Sequence, residues 1–179
     1  MALRSHRHVV RVPLMKRFVD ESGGGRVFFP LLAFLIIVGA GCRTLTPLPP
    51  ANLSEPGWTV RQGQAVWRSG RGMPEIAGEL MVATRPGGDE LVQFTKSPFP
   101  LVIAQKAANH WQIQFSTENK RFSGLGQPPA GLIWLWLSPA LSGDLPPKKW
   151  SWHQNEDGWH LENPATGESL AGYFVGGLP

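Results

Sequence analysis

Cys42 is the only thiol in the 179-residue chain, and three small residues, Gly39-Ala40-Gly41, stand immediately before it. A small-residue stretch of this kind is what a signal peptidase needs at its cleavage site. A single cysteine offers neither an internal disulfide framework nor a cysteine zinc cluster. The other polar grouping is His153, His160 and Glu162. Two imidazoles and a carboxylate on one sheet face have the donor types of a metal site. A solvated face with ordinary polar pairs explains them as well, so neither a metal nor another cofactor is expected. Catalytic patterns are missing: there is no HExxH, no P-loop and no CxxC. Gly124-Leu125-Gly126 runs into Gln127-Pro128-Pro129, where a dinucleotide site needs a third glycine and a helix. Gly167 to Gly172 is one residue too long for a GxSxG elbow. No enzymatic activity is expected.

The stretch that delivers Cys42 is a leader. Val27–Gly41 holds fifteen uncharged residues behind a basic segment. Charged region, apolar region and small-residue end are the three parts of a secretory signal. As a helix it spans about 22 Å, short of the roughly 20 residues that cross a bilayer core. Its end resembles the lipobox of bacterial lipoproteins, with Gly39 where leucine is usual. That resemblance implies diacylglyceryl transfer to the Cys42 sulfur and cleavage before it, with residues 1–41 removed as a signal peptide. The alternative is an uncleaved signal anchor with an incidental cysteine. Met15, followed by Lys16 and Arg17, is an alternative start to Met1.

Charge divides at the same point. Residues 1–41 take six of the 17 basic and two of the 13 acidic residues, leaving eleven of each. The excess of +4 therefore belongs to the leader, and the rest has no electrostatic footprint for nucleic acid. Residues 42–57 follow as a lipidated cysteine and spacer. Thr44–Pro56 carries four prolines in thirteen residues, the composition of an extended, semi-rigid segment holding a domain off the membrane.

From residue 58 to 179 the pattern is that of short strands separated by turns. Strands are expected at Thr59–Arg68, Ile76–Thr84, Glu90–Lys96, Leu101–Lys106, Trp111–Ser116 and Lys120–Ser123. Three more are expected at Lys149–Gln154, Gly158–Asn163 and Ser169–Phe174. In the hairpin around Asn155–Gly158, either loop length puts Trp150, Trp152, Trp159 and Leu161 on one face. Ser151, His153, His160 and Glu162 then share the other. Gly131–Gly143 is too continuously apolar for a half-exposed strand, and a short apolar helix or lid capped by Gly143 fits it. Pro139 argues against one regular helix through the segment. All eight tryptophans lie after residue 57. Plain core is one reading of them, and a pocket for an apolar ligand under the lid is the other. The candidate lining residues are Trp111, Trp134, Trp136, Trp152 and Trp159. On a helix Trp134 and Trp136 would diverge by about 200°, whereas on an extended lid they would share a side.

The leader, the meander through Gly78-Glu79-Leu80 and Phe94-Thr95-Lys96-Ser97-Pro98-Phe99-Pro100, the apolar Leu/Trp segment, Trp150 and two closing strands together resemble the LolA/LolB group. These are the carrier and outer-membrane receptor of lipoprotein sorting. The resemblance covers about residues 58–174 and implies a mainly β fold, an antiparallel meander forming an open β-barrel with a lid. It further implies an apolar cavity for acyl chains or for other lipoproteins in transit. A lipidated cysteine makes the receptor the nearer relative. The rival expectation is a structural or assembly lipoprotein that works through protein contacts. Arg43 follows the cysteine instead of the aspartate that retains lipoproteins at the inner membrane, which points to the outer membrane, facing the periplasm. Cys42→Ser should leave an unlipidated precursor that keeps its leader, read by intact mass. Cleavage at the same bond with acylation would contradict it.

Overall fold

The computed structural model describes residues 45–176; Cys42, Arg43 and the leader lie outside the described residues. The strands are β1 (Thr59–Arg68), β2 (Glu75–Arg85), β3 (Asp89–Lys96), β4 (Phe99–Ala107), β5 (His110–Phe115) and β6 (Lys120–Leu125). Helix α1 (Ile133–Leu141) follows, and then β7 (Ser151–Asn155), β8 (Gly158–Asn163) and β9 (Glu168–Phe174). The nine strands make one antiparallel sheet in the order β6-β5-β4-β3-β2-β1-β9-β8-β7. It does not close, so the fold is an open β-barrel with one short helix among the described residues. The meander runs β1 to β6, and the last three strands return by adding β9 to the outer side of β1.

Alternation assigns the two faces. Leu80, Val82, Val92, Phe94, Val102, Ala104, Trp111 and Ile113 are buried on one face, joined by Trp159, Leu161, Leu170 and Phe174. Directly paired residues share a side, so the register carries this apolar stripe from β5 through β4, β3, β2, β1 and β9 to β8. Trp152 of β7 packs against it, and β6 adds only Gly124 and the half-exposed Phe122. The expected hairpin faces are observed. Trp152 pairs with Leu161 on the inner side and His153 with His160 on the outer. Pro100 enters β4 without harm because it pairs with Thr95 at a register shift, where the ladder is already interrupted.

Helix α1 covers the concave face, packing on β3, β4 and β5. Ile133, Trp134, Leu135, Leu137, Ala140 and Leu141 are buried. Pro139 lies inside the helix, contrary to its expected role as a breaker. Its missing N–H costs one bond in the last turn, and the end is then closed by a left-handed Gly143 with φ of 95°. Gly143 N–H donates to Ala140 C=O at 3.1 Å and Asp144 N–H to Pro139 C=O at 3.0 Å, the Schellman arrangement.

The proline-rich segment has no regular structure over residues 45–52 and turns between Asn52 and Glu55, and it lies along the sheet instead of standing clear of it. Leu48 N–H donates to Gln112 Oε1 at 3.0 Å, and Gln105 Nε2 donates to the Pro49 carbonyl at 3.1 Å. Farther on, Glu55 pairs with Arg85 at 2.9 Å. Gln112, Gln105, Leu91 and Ala83 form one cross-strand row on the convex face of β5, β4, β3 and β2. All four are buried, with Gln105 and Gln112 only 8% and 9% exposed, although none belongs to the core cluster. The strap accounts for that burial. A fragment starting at residue 58 should therefore be less stable than one starting at residue 45. The difference should be on the order of 2–3 kcal/mol, for two hydrogen bonds and a re-exposed leucine. Chemical denaturation of both fragments checks this, and equal stabilities would contradict it.

Candidate functional site

The candidate site is the concave aromatic face beneath α1. Strand alternation supplies its floor and the helix its roof. Trp134, from the helix, sits with its ring centroid 5.1 Å from Phe94 and 5.5 Å from Trp67. Trp67 in turn stacks on Phe115 at 6.4 Å. Towards the other edge Trp152 stacks on Trp159 at 6.2 Å, and Trp159 lies 6.2 Å from Phe174. The Arg61 guanidinium covers Phe174 from 4.8 Å. Two glycines make room for this layer. Trp111 pairs with Gly124 and Trp159 with Gly172, and a Cβ at either glycine would collide with the facing indole.

Of the five tryptophans read as lining residues, Trp111, Trp134 and Trp159 are buried on this face, and Trp152 is half-buried against it. Trp136 is not brought together with them. The segment is helical, so Trp136 points away from Trp134, half-buried, and donates its N–H to the Pro129 carbonyl at 3.1 Å. Two tryptophans absent from the sequence-based set belong to the site. Trp67 completes the sandwich around Trp134. Trp150 donates to the Ala130 carbonyl at 2.6 Å and so fixes the approach to the helix. The alternation of β1 was the available signal for Trp67, which shares parity with Ala65.

The indole N–H groups of Trp111, Trp134 and Trp159 are buried and donate to no acceptor among the described residues, and that of Trp67 faces the Glu168 carboxyl without hydrogen-bond geometry. An unpaired buried donor costs about 1–3 kcal/mol. The face is thus apolar in area and supplied with donors.

Two acids mark its ends. Glu90 pairs with Lys106 at 3.0 Å, and burial raises its carboxyl above the ordinary value while Lys106 pulls it back. The Ser138 hydroxyl, buried on α1, faces it without hydrogen-bond geometry. At the opposite end Glu168 is pushed up to about 7 by burial, against the downward pull of the Trp67 indole N–H and Lys149.

On the convex face His153 and His160 are directly paired, and His160 Nε2 lies 3.9 Å from Glu162 Oε2. They border a groove of about 650 Å³ that Asp157 and Tyr173 also line. Among the described residues, no three His, Cys, Asp or Glu side chains converge as a metal site. A second, apolar groove of about 570 Å³ lies at the β3–β4 turn, around Pro98, Phe99, Pro100 and Leu101. No helix among the described residues is long and apolar enough to cross a membrane.

No protein-family model matches the chain, and no curated protein matches it.

Glu168 yields a pH prediction. Its folded value lies above the unfolded one, so its contribution to stability is fully present below the unfolded value near 4.3 and is lost as pH rises through about 7. The loss should be on the order of 1–2 kcal/mol, discounted from the full shift for residual solvent contact. Glu168→Gln should flatten that part of the stability–pH curve. Unchanged slopes in wild type and variant, measured by urea denaturation from pH 4 to 8, would contradict it.

Proposed function

We propose that this protein is a lipid-anchored component of the cell envelope, held through Cys42, whose concave aromatic face takes acyl chains. On this reading the ligand is a lipid, or the lipid of another lipoprotein in transit at the outer membrane, as in the LolA/LolB group that the sequence resembles. The supporting observation is how the face is covered. Nine strands leave the sheet open, and one nine-residue helix forms its roof. No strand pair has to break for α1 to swing aside, because it is attached by apolar packing and flanked by loops. Its N-terminus has no side-chain cap, so the helix has little intrinsic stability apart from that packing. Unpaired indole donors suit an ester or carboxyl oxygen at the head of the chain, and the aromatic area suits its methylenes.

A second reading, a structural lipoprotein acting through protein contacts, draws on the apolar β3–β4 turn, where Phe99 is 71% exposed. The two part on one test. A fatty acid brominated along its chain quenches any indole that it touches. Titration should give saturable quenching that falls in Trp134→Leu, whose ring is under the roof, and is retained in Trp136→Leu. Quenching that never saturates, or that both variants reduce alike, would place the acyl chain elsewhere and favour the protein-contact reading.

A further inference from the structure

We infer that the domain rests on the lipid surface through one end of its sheet, the rim carrying Leu125 and Leu145, with the Phe99 turn at the far end. The inference rests on the proposed anchor at Cys42, and the strap decides which end is near it. Residues 48 and 49 are pinned to the convex face by Gln112 and Gln105. Gln112 pairs with Ser123, and the next pair of that face is His110 with Leu125. The pinned start of the strap is therefore two residues, about 7 Å, from the corner where β5 begins and β6 ends. Cys42 precedes Leu48 by six residues, a fully extended reach of only about 20 Å. A short tether of this kind holds the corner to the membrane instead of letting the domain turn freely.

What the corner presents fits a lipid surface. Leu125 is 62% exposed, and Leu45, on the strap, is 36% exposed. Helix α1 ends at this same end of the sheet. Asp144, just past its C-cap, acts on the charge of Glu90, which pairs through Lys106 with Trp111 and so with Gly124, next to Leu125. Leu145, following Asp144, is 90% exposed. The nearby cations are paired, Arg85 with Glu55 and Lys106 with Glu90, while the carboxylates of Asp89 and Asp144 have no cationic partner among the described residues. The rim therefore offers no net positive charge to anionic lipid. Asp89 accepts from the Ala108 N–H at 3.3 Å. Contact is thus apolar and not electrostatic, and salt should not release it. The Phe99 turn joins the other ends of β3 and β4, a strand length of eight residues away, or about 25 Å.

The test uses full-length protein purified from membranes and reconstituted into phosphatidylcholine–phosphatidylglycerol vesicles. Single nitroxides are placed at Leu125→Cys, Leu145→Cys or Phe99→Cys, since an acylated Cys42 takes no label. In power-saturation EPR, labels at 125 and 145 should be at least threefold more accessible to oxygen than to a water-soluble nickel chelate. The label at 99 should show the reverse, and 0.5 M NaCl should change neither. Aqueous labels at 125 and 145, or an immersed label at 99, would overturn the inference. Spin–spin broadening at 125 that disappears on diluting labelled with unlabelled protein would also overturn it, by making the rim a contact between copies of this chain. Intact mass separates the two levels. Acylated protein with an aqueous rim refutes the seating alone, whereas unacylated protein removes the anchor and the seating together.

Discussion

The fold depends on covering the concave face of a sheet that never closes. A closed barrel fills its interior with side chains from its own strands. Here β6 and β7 end the sheet without meeting, and the curved apolar face would stay wet without a further element. Helix α1 is that element, and Trp134 is its principal contribution, fully buried against Phe94 and Trp67. Burying a side chain of that size is worth about 2–3 kcal/mol, more than the helix gains from its own capping. The same dependence explains how a helix with an uncapped start and an internal proline persists: packing, not propensity, holds it.

Aromatic rings need space as well as area. Gly124 and Gly172 provide it by allowing Trp111 and Trp159 to lie flat over the neighbouring strand. Each glycine gives up side-chain packing of its own, and the indole opposite supplies the missing surface. The cost of so many indoles is their N–H groups, three of which, on Trp111, Trp134 and Trp159, have no acceptor among the described residues. A hydrocarbon core of the same volume would carry no such penalty. On the proposed reading those donors are what the head of an acyl chain would meet. The convex side follows different rules. Its polar strand residues need no cover, yet Gln105 and Gln112 are covered, because the two amides turn to the backbone of a proline-rich strap. Proline has no N–H to donate, but its carbonyl still accepts, and Gln105 uses the Pro49 carbonyl.

The strands were legible because their pattern has a period of two and one wet face. β1 and β8 start and stop where alternation and turn residues place them, and the hairpin parity of Trp152, Trp159, His153 and His160 followed from the same rule. The order of strands beyond the meander was not legible. Alternation does not say that β9 joins β1, since that pairing spans most of the chain. Trp136 was grouped with Trp134 because the apolar run Leu132–Leu137 does not reveal its period; once it is helical, the two must diverge. The strap was read as a stand-off segment because composition reports stiffness and not contacts. Gln105 and Gln112 look like any solvent-facing glutamines until the chain that binds them is in place.

The central claim is that an acyl chain occupies the face beneath α1. Isotope-edited NMR with uniformly ¹³C-labelled palmitate measures this most directly, through nuclear Overhauser contacts between chain methylenes and the indole N–H protons. The account predicts contacts to Trp67, Trp134 and Trp159, with the Trp136 indole silent. Contacts confined to the Phe99 turn, or none to any buried indole, would contradict it.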